Sequence, residues 1–324
     1  MGVTNFEIFL FLSDQFKNRM KKVIVMAGQN DEDYGQRLTH VKVREVLRSR
    51  NIESVYPKFS IHTMTIIPFY DGLIVSGKLN RYIDNSAIID LALEFGKEVF
   101  LFGLNLEESD RRMVKHLTTQ IMSPLVKGFV TDAVGQRWAS LWAGSRIKAG
   151  VDIANVYLLE RSEYERGKFV VIAPSKDGIL SKCTEEKWFP MMDARVIVED
   201  PQDSKTAVQF ASKLKVDDVS LIFKINDIMD AIKNARFVIS EKFYTTLTAI
   251  SFETPFVHVG KKILRYIGKD FSNYVCDPDM TELGLAFSRL NEFDFDAIKN
   301  FNSRVRSVYN DMERELDAFT GKNS

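Results

Sequence analysis

The side chains with the clearest chemical potential lie in a short polar turn at residues 240–244, between an apolar run and a predicted helix. Glu241, Lys242 and Tyr244 stand where this helix begins, and the helix extends to about Phe252. A helix N-terminus presents free N–H groups and partial positive charge, and the ammonium group of Lys242 would add a full charge. The turn therefore predicts a site that binds an anion. A solvated turn residue is the competing interpretation of Lys242.

The segments on either side of this turn predict a βαβ unit. Residues 237–239 and 256–259 are apolar runs of strand length, and the second is entered through Thr254-Pro255. A helical crossover makes the two strands parallel, and open parallel sheets bind their ligands beyond the carboxyl ends of the strands. The polar turn is therefore expected at the ligand-binding edge of a sheet.

The same alternation of apolar strands and helices runs through the whole chain and predicts an α/β fold. The polar stretch 160–167 separates two apolar strands and indicates a linker, so the predicted domains are 1–162 and 163–324. Each would be a Rossmann-like parallel-sheet domain, and the two would form a GT-B-like clamshell. Apolar residues at spacings of three and four predict a final helix over 294–319 that packs back on the first domain. The other predicted strands are 22–27, 52–56, 73–75, 98–102, 129–131, 153–159, 169–173, 195–198, 219–223 and 274–275.

Composition narrows the class of partner. The chain has 324 residues, 45% of them hydrophobic, and its 44 basic residues balance 44 acidic ones, so no nucleic-acid-binding face is indicated. Cys183 and Cys276 lie far apart without a C-x-x-C spacing, which argues against a disulfide framework or a zinc site and favours a cytoplasmic protein. The apolar run Phe6–Leu12 is too short to span a bilayer, so no integral membrane segment is expected. Small molecules and glycans are the favoured ligands, and a homo-oligomer is compatible with the sequence.

Two further loops follow predicted strands of the first domain. The loop 28–35 contains five acidic or amide side chains, Asn30 among them, that could hold a sugar hydroxyl or a divalent ion. A solvated Asx-rich turn is the commoner explanation. The loop lacks G-x-G-x-x-G, so no dinucleotide fingerprint is present. The second loop is Ser76-Gly77-Lys78, where one glycine allows a tight turn.

Several short motifs resemble the polysaccharide pyruvyl transferase family. The clearest is the segment 240–244, followed by Thr254-Pro255 and Gly260-Lys261. In that family a strand is followed by Glu-Arg-Phe-His or Arg-Leu-His, then a helix, Gly-x-Pro, a second strand and Tyr-x-x-Lys. The segments 28–35, 128–132, 150–152 and 199–200 are similar to other family motifs and come in the same order.

The resemblance implies transfer of a pyruvyl group, as a ketal, from phosphoenolpyruvate to a sugar of a cell-surface glycan. It implies a small-molecule donor and a glycan acceptor, with no metal and no further cofactor. The implied catalytic residues are Glu241, Tyr244 and Asp132. The implied substrate-binding residues are Lys242, Lys261, Lys262, Asn30, Ser76, Lys78 and Thr245.

Departures from the family pattern keep two other functions open. Lys242 and Tyr244 replace the family's Arg and His, so the bidentate guanidinium and the imidazole are both lost. A GT-B glycosyltransferase that uses a nucleotide sugar is the first alternative, with Glu241 or Glu253 holding a ribose. A catalytically inactive binding module of the same fold is the second. His258, in the second strand of the βαβ unit, either packs in the core, the commoner case for a lone strand histidine, or faces the ligand.

Overall fold

The computed structural model describes residues 21–27, 34–56, 65–79, 82–106, 109, 111–131, 133–161, 167–185, 189 and 192–321. In this part of the chain two six-stranded sheets form, and every strand pair in both is parallel. The strand orders are β2-β1-β3-β4-β5-β6 in the first sheet and β12-β11-β10-β7-β8-β9 in the second. The strands are β1 (Val23–Ala27), β2 (Ser54–Val55), β3 (Gly72–Gly77), β4 (Glu98–Leu104), β5 (Val126–Val130), β6 (Ile147–Ala149), β7 (Val170–Ala173), β8 (Ala194–Ile197), β9 (Val219–Ile222), β10 (Phe237–Ser240), β11 (Phe256–Val259) and β12 (Val275–Cys276).

Helices connect successive strands, as parallel pairing requires. The helices of the described chain are α1 (Tyr34–Ser49), α2 (Tyr82–Glu94), α3 (Arg111–Ile121), α4 (Ala133–Ala143), α5 (Ile153–Leu159), α6 (Ser204–Ala211), α7 (Ile225–Lys233), α8 (Phe243–Ser251), α9 (Leu264–Ile267), α10 (Met280–Ser288) and α11 (Phe295–Thr320). None of them is long and apolar enough to cross a membrane.

The chain divides into two compact units that do not follow a single cut. The first contains the described parts of 1–29, 40–152 and 308–324, and the second contains those of 30–39 and 153–307. The start of α1 and residues 295–307 of α11 therefore belong to the second unit. The remainder of each helix belongs to the first. Each unit holds one sheet.

The core of each unit is built on the central strands of its sheet. In the first unit β1, β3, β4 and β5 are buried, and the end of α11 packs there, with the Phe319 and Phe100 rings stacked 5.1 Å apart. Gly128 adopts φ +129°, and a Cβ at this position would overlap the backbone of Leu101 on the neighbouring strand. In the second unit β7, β10 and β11 are fully buried. Their apolar runs explain why strands, rather than amphipathic helices, form there.

Two local predictions were wrong. Residues 153–159 form the helix α5 rather than a strand, and every residue of it is buried. A short, wholly apolar run carries no periodicity that distinguishes a buried strand from a buried helix. The sequence also predicts a helix over 135–143 with Trp138, Leu141 and Trp142 on its apolar side, but on α4 the side chains of Leu141 and Trp142 are 79% and 48% exposed. The short edge strand β6 between α4 and α5 was not predicted.

Candidate functional site

The carboxyl edge of the second sheet gathers most of the predicted site residues. Ser240, at the end of β10, pairs in register with Ala173 on β7 and with His258 on β11. The loops that follow β7, β8, β10 and β11 therefore leave the sheet at neighbouring positions. These loops and the first turn of α8 form the site described below.

Glu241 organises the loop after β7. Its carboxylate accepts hydrogen bonds from the backbone N–H of Ser175 at 2.7 Å and of Leu180 at 3.0 Å. Gly178 lies inside this loop, and a Cβ at that position would overlap the carboxylate. Glu241 thus has a structural role that uses both carboxylate oxygens.

Lys242 forms an ion pair with Asp203, which follows β8. Asp203 is 4% exposed, and its Oδ1 also accepts a hydrogen bond from the backbone N–H of Lys176 at 3.0 Å. The backbone N–H of Lys242 donates to Ser240 Oγ at 2.8 Å. The predicted anion-binding ammonium group is therefore neutralised by a buried carboxylate of the same unit.

The N-terminus of α8 already carries a protein carboxylate. Oε1 of Glu199, which follows β8, accepts hydrogen bonds from the backbone N–H of Thr245 at 2.8 Å and from Thr245 Oγ1 at 3.2 Å. Glu199 is buried. A negative charge is favoured at this end of a helix. Glu199 therefore occupies the position in which the sequence predicted a ligand anion.

Glu199 was missed as a site residue, although the sequence placed it in an acidic pair of the second domain. Its position directly beyond a buried strand, at the carboxyl edge, was the available signal. Glu253, one of the two carboxylates predicted to hold a ribose, lies instead past the C-terminal end of α8, with φ +53°. Nine helical residues separate the two ends, a rise of about 13 Å. The carboxylate that contacts the backbone at the first turn of α8 is therefore Glu199 and not Glu253.

Tyr244 is buried in an aromatic contact rather than presented to a ligand. Its ring lies 5.1 Å from that of Phe243, and a Cβ at Gly35 of the same unit would overlap it. Thr248 Oγ1 donates to the Tyr244 carbonyl at 2.7 Å and lies 3.2 Å from the Tyr34 hydroxyl. Burial raises the pKa of Tyr34 above its usual value. Tyr244 therefore joins α8 to the start of α1 within the second unit.

The two predicted cations Lys242 and Lys261 pair with different acidic side chains of the second unit. Lys261 is exposed, and its Nζ lies 2.7 Å from Asp277 and 3.1 Å from Glu282. Asp277 follows β12, whereas the Lys242 partner Asp203 follows β8. These strands are four positions apart in the sheet, about 19 Å at the usual spacing of parallel strands. Lys262 is also exposed.

The carboxyl edge of the first sheet holds the remaining predicted residues. Ser76 Oγ donates to the Phe102 carbonyl at 2.6 Å, and Lys78 follows β3. Asn30 and Asp132 lie outside the described residues. Two buried side-chain oxygens of this unit, Oδ1 of Asn85 and Oγ1 of Thr131, have no hydrogen-bond partner within the described part of the chain.

Among the described residues, no three His, Cys, Asp or Glu side chains lie close enough together to hold a metal ion. The arrangement at the second sheet instead offers paired charges and two buried polar side chains, Glu199 and His258. Burial lowers the pKa of His258 to about 3, so its imidazole is neutral at physiological pH.

No protein-family model matches the sequence, and no curated protein matches it significantly. The chain is similar in fold to UDP-GlcNAc 2-epimerase from Methanocaldococcus jannaschii, with a TM-score of 0.56 and 11% identity over 89% of this chain and 98% of that chain. UDP-GlcNAc 2-epimerase from Neisseria meningitidis, solved bound to UDP-GlcNAc, gives 0.57 and 13% over 93% and 100%. MurG from Acinetobacter baumannii gives 0.50 and 10% over 94% and 100%. These similarities, with the two parallel sheets, confirm the predicted GT-B-like fold of two Rossmann-like domains.

Proposed function

We propose that the chain binds a nucleotide sugar at the carboxyl edge of the second sheet and acts as a glycosyltransferase of the GT-B type. The shared fold, which extends over almost the full length of an enzyme solved with UDP-GlcNAc, supports this class of ligand. Because a fold hosts many activities, the proposal depends on the chemistry of the edge itself.

The observation that carries the proposal is the Glu199 carboxylate at the N-terminus of α8. A carboxylate accepts hydrogen bonds from hydroxyl groups and repels phosphate. Thr245 donates two hydrogen bonds to Oε1, one from its backbone N–H and one from its hydroxyl group. The chemistry of this position therefore suits the vicinal hydroxyls of a ribose better than the phosphate of phosphoenolpyruvate.

The charges around Glu199 support the same choice. Phosphoenolpyruvate carries a phosphate and a carboxylate on three carbons, so its recognition calls for cations close to one another. Lys242 and Lys261 each pair with acidic side chains, on opposite sides of β10. A nucleotide sugar also carries a charged diphosphate, but it presents in addition a base, a ribose and a hexose, which neutral hydrogen-bonding groups can recognise. Pyruvyl transfer remains a prediction of the family resemblance.

A thermal-shift panel separates these donors. Phosphoenolpyruvate, UDP, UDP-GlcNAc and GDP-mannose would each be added at rising concentration. A ligand at a hundred times its dissociation constant stabilises the folded chain by about 2.7 kcal/mol. We expect a shift with a nucleotide sugar and none with phosphoenolpyruvate. A shift with phosphoenolpyruvate alone would refute the proposal and favour pyruvyl transfer.

The role of Glu199 can be tested with amide substitutions at two neighbouring acidic residues. Glu199→Gln keeps an oxygen for the Thr245 N–H but removes the charge, and we expect it to weaken nucleotide-sugar binding about tenfold, because hydrogen bonds to charged groups are roughly twice as strong. Asp200→Asn is the control, since Asp200 caps the adjacent turn through the Gln202 N–H at 2.9 Å. Equal affinities of the wild type and the two variants for the nucleotide sugar would show that Glu199 does not bind this ligand.

A catalytically inactive binding module is the second candidate. It is favoured by one observation: Glu241 and Tyr244, the described residues predicted to be catalytic, both serve internal contacts. This candidate predicts binding of UDP-GlcNAc without release of UDP when glycan acceptors are added. Release of UDP that depends on the acceptor would establish the transferase instead.

A further inference from the structure

His258 stands at the carboxyl edge of the second sheet with one ring nitrogen held inside the chain. It is the third residue of β11 and is 5% exposed. Its Nδ1 lies 2.7 Å from Oγ1 of Thr246, in the first turns of α8. The imidazole is thus fixed against the helix whose N-terminus carries Glu199.

The other contact of Thr246 determines which nitrogen of His258 carries the proton. Thr246 Oγ1 lies 3.1 Å from the carbonyl oxygen of Lys242, and a carbonyl can only accept. We assign the single hydroxyl proton to this contact with Lys242, which makes the Nδ1–H of His258 the donor to Thr246. Nε2 is then the unprotonated nitrogen and keeps its lone pair.

Nε2 has no hydrogen-bond partner within the described chain. Gly260, two residues on, adopts φ +125°, and a Cβ built there would lie 3.5 Å from Nε2. A side chain at position 260 would therefore cover this nitrogen, whereas glycine leaves the space beside it clear. A ligand that supplies a proton donor would give this nitrogen a partner and gain a hydrogen bond.

We propose that Nε2 of His258 accepts a hydrogen bond from an uncharged O–H or N–H group of the bound nucleotide sugar. This rests on the proposed function, because it assigns a contact within the same site. A neutral acceptor favours a hydroxyl or an amide and offers nothing to an ionised phosphate, which has no proton to donate. His258 is thus a specificity residue, and Thr246 is the positioning residue that sets its tautomer.

The donor group has two possible sources in a nucleotide sugar. The nucleoside offers ribose hydroxyls and the uracil N–H, and the hexose offers further hydroxyls and, in UDP-GlcNAc, an amide N–H. UDP and UDP-GlcNAc, used as separate probes, distinguish them. A loss of affinity for both probes assigns the contact to the nucleoside, and a loss for UDP-GlcNAc alone assigns it to the hexose.

Isothermal titration calorimetry on two isosteric variants provides the test. His258→Asn places an amide N–H near the position of Nδ1, so the Thr246 contact is kept and Nε2 is lost. His258→Gln places its amide near Nε2. We expect His258→Asn to weaken UDP-GlcNAc binding five- to tenfold, the effect of one neutral hydrogen bond, and His258→Gln to weaken it less. His116→Asn, on the surface of the first unit, is the control and should bind as the wild type does.

Each other result has a definite meaning. If the wild type binds UDP-GlcNAc and both His258 variants bind it equally well, the contact is refuted and the proposed function stands. If both variants lose affinity equally, with equal falls in Tm, His258 is only structural and the contact is again refuted. If the wild type binds neither probe, the proposed function fails and takes this contact with it.

Discussion

The carboxyl edges of the two sheets differ in how their polar side chains are paired. At the second sheet the charged groups Glu199, Glu241 and Lys242 are paired with N–H groups or with Asp203. At the first sheet the buried Thr131 Oγ1 has no hydrogen-bond partner among the residues that the structure describes. The charged groups of the second edge are therefore already paired within the protein. A ligand bound there would form mainly neutral contacts. At the first edge the Thr131 hydroxyl oxygen can still accept a hydrogen bond.

Two threonines make the contrast specific. Thr246, at the second edge, contacts both the Lys242 carbonyl and His258. Thr131, at the first edge, follows β5, and no described residue pairs with its hydroxyl oxygen. Both side chains are buried. The same substitution at the two positions should thus have opposite consequences, and the predictions below use this contrast.

The largest effect is expected for Asp203→Ala. Asp203 and Lys242 are 6% and 18% exposed in their side chains, and removing one partner of a buried pair costs about 3–5 kcal/mol. Urea unfolding followed by circular dichroism would measure the change. Asp277→Ala, which removes a partner of the exposed Lys261, should have a smaller effect. Equal losses in the two variants would mean that the second edge does not depend on its buried pair.

A pH dependence of stability should come from His258. Because burial lowers its pKa from 6.5 to about 3, the unfolded chain binds a proton below pH 6.5 that the folded chain does not. The contribution of His258 to the free energy of unfolding is therefore fully present above pH 6.5. It falls by about 1.4 kcal/mol per pH unit as the pH decreases toward 3.

Between pH 6.5 and about pH 5 this amounts to about 2 kcal/mol. Free energies of unfolding of the wild type and of His258→Asn, measured across that range, isolate the contribution. The variant should show a shallower decline. Parallel curves for the two proteins would show that His258 is not buried in its neutral form.

Thr246→Val should destabilise the chain by about 1–2 kcal/mol. The substitution keeps the shape of the side chain but removes the hydroxyl, so the Nδ1–H of His258 is left without its acceptor. The imidazole nitrogen resonances should also change, since the tautomer is no longer fixed. Unchanged stability and unchanged resonances would contradict the hydrogen-bond assignment at the second edge.

Thr131→Val should have the smallest effect, within about 0.5 kcal/mol or slightly stabilising. Its Oγ1 has no partner among the described residues, so the substitution removes a buried polar atom and loses none of the described hydrogen bonds. The same urea unfolding experiment measures it beside Thr246→Val. A loss as large as that of Thr246→Val would erase the proposed difference between the two edges.

The βαβ unit around the polar turn could be predicted closely from the sequence. The apolar runs, the turn and the Thr254-Pro255 entry are local signals, and β10, α8 and β11 lie within two residues of their predicted bounds. Gly96 is a second local signal: a glycine directly after the helical pattern of residues 85–95 predicts the end of a helix, and Gly96 follows α2 with φ +66°. These features are determined by residues that lie close together in the sequence.

The partners of the site residues could not be predicted in the same way. Lys242 meets Asp203 because β8 lies beside β7, which in turn lies beside β10, and no local pattern encodes that strand order. The role of Glu199 depends on the same arrangement. Sequence reasoning thus located the turn but assigned to a ligand the charges that the fold uses itself.

A crystal structure of the chain grown with UDP-GlcNAc tests the central claim most directly. We predict density for the nucleotide at the carboxyl edge of the second sheet, with a ribose hydroxyl about 2.7 Å from the Glu199 carboxylate. Density for UDP-GlcNAc at another place, with Glu199 still contacting Thr245 and no ligand atom, would contradict the account.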